Sequence, residues 1–295
     1  MSDDAARYRA AITAAFPDLP ILTFHFLAEG WDSAVWQAND HRIFRFPKRA
    51  EVAGWLRTEI ALLPALAPTL PVAVPQFAYV AEPSPTFPFP FVGYEKLPGV
   101  QLSSAPTGTV ESARITAQVG AFLTALHHFP VAQAVACGPP DATPETWRAG
   151  YAAMRAALRT LGSRLTAAER ARMETLFARY LDTRAHFAFT PVLLHHDLSG
   201  EHLLLDTETG DLTAVIDWSD ATMGDPAQDF CGLPAAWLPT LLAHYGGVAD
   251  TTFTARVAFY RVLGPYHTLL FGLRAGGEPF IERGLAKLRE AMGNE

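Results

Sequence analysis

Leu193-Leu194-His195-His196-Asp197-Leu198-Ser199-Gly200-Glu201-His202-Leu203-Leu204-Leu205-Asp206 places a polar loop between two apolar runs, and the reading of the whole chain turns on it. After a turn from Thr207 to Asp211, Leu212-Thr213-Ala214-Val215-Ile216-Asp217-Trp218 adds another apolar run that ends in a carboxylate. Short apolar runs bounded by turn residues read as buried strands. Two aspartates, Asp197 and Asp217, therefore lie at the rims of buried strands, with His202 between them. Burying an ionised carboxylate is expensive unless a cation or metal partners it. Three such groups on strand rims imply one functional cleft.

The flanks of this island differ. Upstream, Ile21–Phe26, Ala34–Ala38 and Arg42–Phe46 have strand character, with Asn39-Asp40 as a tight-turn signal and Pro47 as a stop. Ala50 to Leu63 carries Val52, Trp55, Leu56, Ile60, Leu62 and Leu63 at helical spacing, and Pro64 is expected to end that helix. Prolines crowd the stretch from Ala67 to Gly99 and favour extended chain. Beyond Gly99 the spacing predicts helices over Val110–His128, Glu145–Leu161 and Ala167–His186, and again from about Leu233 to Met292. The island at 191–218 should be one embedded β-hairpin. The fold class is α+β and bilobal, with a small antiparallel β N-lobe over residues 1–97 and a larger, mostly helical C-lobe over 98–295.

Composition narrows the function classes. The 295 residues are 49% hydrophobic and 18% charged, which excludes a disordered or fibrous chain. Net charge is −7, which argues against nucleic acid and is compatible with a cationic small molecule. No run approaches a membrane span, and Asp3 and Asp4 stand where a signal peptide would carry basic residues, so a cytoplasmic location is expected. The two cysteines, Cys137 and Cys231, make neither a disulfide framework nor a CxxC pair.

His195-x-Asp197-x-x-x-x-His202, followed by Val215-Ile216-Asp217-Trp218-Ser219-Asp220-Ala221 and Gly224-Asp225-Pro226-Ala227-Gln228-Asp229-Phe230, resembles the aminoglycoside and macrolide phosphotransferases, enzymes of protein-kinase-like fold. In protein kinases the catalytic loop reads His-Arg-Asp with an asparagine five residues after the Asp, and a further Asp binds metal. Here His202 replaces that asparagine, a departure similar to the 2''-phosphotransferase and macrolide branches. The resemblance implies that Asp197 is catalytic, orienting a substrate hydroxyl, and that His202 and Asp217 hold Mg²⁺. Alone, His202 would read as a hydrogen-bonded loop histidine; its offset from Asp197 turns that reading. Asp225 and Asp229 are implied to be structural anchors, and Asp220 reads foremost as the start of a turn.

On the donor side, Glu29-Gly30-Trp31-Asp32-Ser33 is similar to the family's phosphate-covering loop, with Gly30 admitting close approach and Ser33 offering polar groups. Arg45 takes the place of the usual nucleotide lysine, and Glu59 on the following helix is its implied partner; the plainer alternative is a surface pair worth at most about 1 kcal/mol. Tyr94-Glu95-Lys96-Leu97 resembles the hinge, where Glu95 and Leu97 would meet the base through backbone groups. Tyr94 at the back of that pocket implies GTP rather than ATP as donor, as in the 2''-phosphotransferase branch.

The acceptor is expected to be a hydroxyl of a cationic antibiotic, foremost an aminoglycoside. Macrolides and a housekeeping amino alcohol or sugar are the alternatives. Glu145, Trp147, Tyr151, Trp237, Tyr266 and His267 are acceptor-side candidates without rank. From another class, His195-x-Asp197 superficially resembles the histidine–carboxylate metal triad of iron oxygenases, but His202 is too near in sequence to be its third ligand. A catalytically dead nucleotide-binding module is the third reading, opposed by the presence of both Asp197 and Asp217. The sequence carries no signal for oligomeric state.

Overall fold

The computed structural model describes residues 2–30, 32–105, 112–139 and 142–293; Trp31 of the expected phosphate-covering loop, and Val110 and Glu111 at the expected start of a helix, lie outside these. The chain opens on α1 (Ser2–Ala15), a helix its polar first turn does not announce. Its buried Ala11 and Ile12 and its Tyr8 ring pack on Trp36, Phe46 and Phe87, roofing one face of a sheet. That sheet contains β1 (Phe24–Glu29), β2 (Ser33–Ala38), β3 (Arg42–Pro47), β4 (Phe77–Ala81) and β5 (Phe91–Glu95), antiparallel in the order β1-β2-β3-β5-β4. Asn39 and Asp40 turn β2 into β3 with φ of 55° and 58°, a left-handed backbone that short polar side chains tolerate.

Side chains alternate across β3. Phe44 and Phe46 belong to the core beneath α1, while Arg45 points to the other face, towards α2 (Ala50–Leu66). Contrary to expectation, α2 does not stop before Pro64. Proline forfeits one helical N–H bond, but Leu62, Leu63 and Leu66 are buried in the larger core and hold the last turn in place. Val74 joins the same core, so the N-terminal third lends side chains to the C-terminal body.

The second body contains β6 (Val100–Gln101), α3 (Ser112–His127), α4 (Val131–Ala136), α5 (Pro144–Ala157), α6 (Ala167–Asp182), β7 (Val192–Leu194), β8 (Leu203–Leu205), β9 (Leu212–Val215), β10 (Thr222–Gly224), α7 (Leu238–His244), α8 (Phe253–Phe271) and α9 (Glu278–Gly293). The expected single hairpin is instead split between two small sheets. β8 pairs with β9 and recruits β6, whereas β7 pairs with β10. The polar loop between β7 and β8 is what separates them. Gly99, with φ of 114°, joins the lobes where a Cβ would come within 2.7 Å of the Leu205 carbonyl, and Thr213 donates to the Pro98 carbonyl at 2.9 Å. Only glycine fits that approach. The chain therefore has the bilobal α+β, protein-kinase-like architecture that the sequence predicts. Among the described residues, no helix is long and apolar enough to cross a membrane.

Candidate active site

The loop after β7 is held by a buried carboxylate 34 residues beyond His195. Asp229, in the short helix Pro226–Phe230, accepts the backbone N–H of His195 at 2.9 Å and of His196 at 2.7 Å. His127 Nε2 lies 3.1 Å from the same carboxylate, and its Nδ1 is 2.7 Å from the Tyr245 hydroxyl. Burial pushes Asp229 up, but His127 and the N–H donors outweigh it and hold the group below its ordinary pKa. Asp225 is tied to Arg256, Tyr260 and the Ala227 N–H. Both aspartates thus sit where the family resemblance puts anchors.

His195 faces inward. Its Nε2 donates to the Ile216 carbonyl at 3.0 Å, and burial followed by the nearby His202 lowers its pKa to about 4. The ring is fully buried with Nε2 committed to a backbone carbonyl, which is not the open cleft position of a ligand in an oxygenase-like triad.

Asp197, His202 and Asp217 converge as the sequence predicts. His202 Nδ1 donates to the Asp197 backbone carbonyl at 2.6 Å and lies 3.6 Å from its carboxylate. That bond leaves Nε2 as the lone-pair nitrogen, aimed at Asp217 Oδ2 at 3.7 Å. Asp217 itself has φ of 63°, and its Oδ1 accepts from the Ser219 hydroxyl at 2.9 Å. Burial raises its pKa, but Arg45, His202 and Ser219 more than offset this, so it stays ionised. Asp197 goes the other way: burial lifts it, and Asp217 and Glu201 add to the rise against the pull of His202. Two carboxylates of unequal basicity thus face one imidazole.

From the other lobe, Arg45 makes two parallel bonds to Glu59, Nη1 to Oε2 at 2.8 Å and Nη2 to Oε1 at 3.0 Å. Both side chains are buried, so the surface-pair alternative does not hold. Arg45 Nη2 also reaches to 3.6 Å from Asp217 Oδ1, spanning the lobes. Burial disfavours its charge, yet Glu59 and Asp217 hold it protonated. Tyr94 is buried on β5 opposite Ile43, and burial pushes its hydroxyl up to about 12. The Glu95 side chain turns to solvent and pairs with Arg42 at 3.0 Å, while Leu97 is half-buried. Gly30 and Ser33 close the loop between β1 and β2 through a Gly30 N–H bond to the Ser33 carbonyl at 3.0 Å. A Cβ on Gly30 would meet nothing nearer than 3.9 Å, so the loop fold does not itself demand glycine there. Lys48 binds Glu29 at 2.6 Å and the Gly30 carbonyl at 2.7 Å, and Arg49 binds Asp32 at 2.6 Å, so both cations clasp this loop.

Asp220 lies within a turn rather than beginning one, since the Ala221 N–H bonds to the Trp218 carbonyl at 3.1 Å, and its carboxyl feels the charges of the cluster. Burial, then Asp197, Asp217 and Asp32, lift it to about 7. Asp32 and Glu201 also act on the cluster, and their sequence signal is position alone, one in the loop between β1 and β2 and one beside His202. Of the acceptor-side candidates, Tyr151 and Tyr266 are core, Trp147 and Trp237 are half-buried, and Glu145 and His267 are exposed.

Among the described residues no group of three or more His, Cys, Asp or Glu side chains forms a metal cage. The donor set nevertheless fits a nucleotide-bound Mg²⁺, which takes one or two protein ligands and completes its shell with phosphate oxygens and water. An ionised Asp217 and a free Nε2 on His202 are such a pair.

This geometry agrees with comparison to known proteins. The model of the phosphotransferase enzyme family matches residues 23–258. The viomycin phosphotransferase of Streptomyces vinaceus is 27% identical over 258 residues, covering 85% of this chain and 88% of that protein. The GDP and kanamycin complex of APH(2")-IIia superposes with a TM-score of 0.88 at 28% identity, over 98% of this chain and 99% of the other. A macrolide 2'-phosphotransferase from Brachybacterium faecium gives 0.74 at 25% identity, over 97% and 98%. With a family match running from β1 into α8 and the paired carboxylates, imidazole and buried Arg–Glu pair brought to one cleft, the chain is an enzyme that belongs to the phosphotransferase enzyme family.

Proposed function

We propose that the protein transfers the γ-phosphoryl group of a nucleoside triphosphate, GTP in preference to ATP, to a hydroxyl of a cationic antibiotic. The observation that carries this is the meeting of Asp197, His202 and Asp217 within 3.7 Å contacts beneath the buried Arg45–Glu59 pair. Asp197, raised in basicity and at the cleft surface, accepts the hydrogen bond of the acceptor hydroxyl and aims its oxygen at the γ-phosphorus. His202 and Asp217 would hold Mg²⁺, which when bound neutralises charge on the phosphate oxygens. Arg45 offers guanidinium N–H groups to the phosphates, and the loop through Gly30 and Ser33 covers them. Phosphoryl transfer needs little else, because positioning and charge supply most of the rate.

Glu95 and Leu97 present backbone groups to the base, which goes with a lobe boundary between residues 97 and 98. A buried Tyr94 at the back of the base site supports GTP, as do the GDP complexes of two solved relatives. For the acceptor, a net charge of −7 and the added carboxylates Asp32, Glu201 and Asp220 favour a cation. A macrolide is the second reading, supported by the Brachybacterium enzyme. Purified protein incubated with Mg²⁺, GTP or ATP, and kanamycin, viomycin or a macrolide is expected to give a phosphate adduct on a cationic antibiotic, detected by mass spectrometry. No adduct on any of them moves the reading to a housekeeping alcohol kinase.

A further inference from the structure

His196 stands directly before the catalytic aspartate with φ of 71°. Of the four non-glycine residues with positive φ among those described, the other three are Asn or Asp. Left-handed backbone is unfavourable for a side chain of this bulk and persists only where its surroundings over-determine it. The surroundings here are specific. The Gln228 amide N–H donates to His196 Nε2 at 2.8 Å, which requires that nitrogen to be unprotonated. The proton therefore sits on Nδ1, and burial disfavours the charged form of the ring. The Trp147 ring stands perpendicular to it, centroids 5.6 Å apart. One neutral imidazole thus touches two separate segments: the short helix that carries Asp229, and α5 of the helical lobe. The main-chain N–H of His196 is itself bound to Asp229 at 2.7 Å.

We propose that His196 is a positioning residue for phosphoryl transfer, its ring locking Asp197 against the short helix that carries Asp229 and tying it to α5. The proposal rests on the reading of Asp197 as the group that aims the acceptor hydroxyl. A glycine at this position would relax the backbone and keep the bonds to Asp229, yet would release the catalytic loop from Gln228 and from Trp147. Displacements near 1 Å at a reacting group cost about 10²-fold in rate, so a partial release is expected to lower kcat roughly tenfold.

The test compares His196→Gly, His196→Asn and Gln228→Leu by steady-state turnover of GTP or ATP with Mg²⁺, with and without kanamycin or viomycin. His196→Gly is expected to lower kcat about tenfold with the nucleotide KM within about twofold. Asparagine, which accepts left-handed backbone and keeps a polar head, should restore part of kcat. Gln228→Leu should reproduce the kcat-selective loss, and the His196→Gly/Gln228→Leu double variant should be no slower than the slower single variant. A purely structural role would lower the folded fraction and leave kcat per folded enzyme unchanged. A kcat for His196→Gly within twofold of the parent overturns the proposal, and if that variant does not fold, an unchanged kcat in Gln228→Leu does so. Crystals of His196→Gly, or of Gln228→Leu, with a non-hydrolysable nucleotide decide the matter without turnover. The Asp197 carboxylate should move by more than about 0.5 Å relative to Asp217, and an unmoved carboxylate refutes the lock. A parent enzyme that phosphorylates nothing overturns the proposed function instead, and leaves this structural arm standing as the test.

Discussion

Two buried arginine–carboxylate pairs, one in each lobe, use the same chemistry to different ends. In the C-lobe, Arg256 and Asp225 are both fully buried and saturated: the carboxylate also takes the Tyr260 hydroxyl at 2.7 Å and the Ala227 N–H at 3.0 Å, and the guanidinium also binds Asp250 at 2.8 Å. In the N-lobe, Arg45 and Glu59 are equally bidentate, but the guanidinium is left with an open side towards Asp217, 3.6 Å away across the cleft. A saturated pair has nothing left to offer a ligand and serves the fold. An unsaturated one keeps donors free, which under the proposed function serve the phosphates. The distinction is the number of remaining donors, since both pairs are buried and charged.

The largest effect should come from breaking the sealed pair. Arg256→Met strands the Asp225 charge in the core, and stability measured by urea unfolding is expected to fall by about 3–5 kcal/mol; a loss below about 1 kcal/mol would contradict the contrast between the two pairs. Acid tests the sealed side in another way. His195 is buried with a pKa near 4 against an ordinary 6.5, so the unfolded chain binds the proton more tightly. Its contribution is complete above pH 6.5 and is lost as pH falls towards 4, amounting to about 3 kcal/mol. Unfolding free energies at pH 7 and 5 should show that slope in the parent and a smaller one in His195→Asn.

How far the sequence foretold these parts follows from the range of the contacts. Asp197, His202 and Asp217 are legible because short apolar runs fix their spacing, and Arg45–Glu59 through the family resemblance, which pairs a strand cation with a carboxylate on the following helix. The bonds that hold the catalytic loop are not, since Asp229 reaches back 34 residues to His195 and 102 to His127. Pro64 misled for the related reason that local propensity yields to burial, here of Leu62, Leu63 and Leu66. α1 was missed because its first turn is polar and its buried face is narrow, represented by Ala11 and Ile12. Asp220 reads as a turn residue, and it lies in a turn, but the influence of the Asp32 charge from the other lobe on its carboxyl has no local signature.

The open pair should respond oppositely to the sealed one. Glu59→Gln is expected to cost only about 1–3 kcal/mol of stability, because Arg45 retains Asp217, while kcat/KM for the nucleotide drops about tenfold or more. Arg45→Lys keeps the charge and loses the fork; the nucleotide KM should rise about fivefold, equivalent to roughly 1 kcal/mol, with unfolding nearly unchanged. Equal stability losses in Glu59→Gln and Arg256→Met would erase the contrast. The smallest effect belongs to Lys48→Ala, which removes an exposed clasp on the phosphate loop and should change stability by less than about 1 kcal/mol.

The division of labour within the cleft is tested most directly by Asp197→Asn, assayed for Mg²⁺-dependent binding of a non-hydrolysable GTP analogue by calorimetry and for phosphate transfer by mass spectrometry. Binding should stay within about threefold of the parent while transfer falls by about 10²-fold or more. Transfer at the parental rate, or loss of binding in step with transfer, would contradict the role given to Asp197.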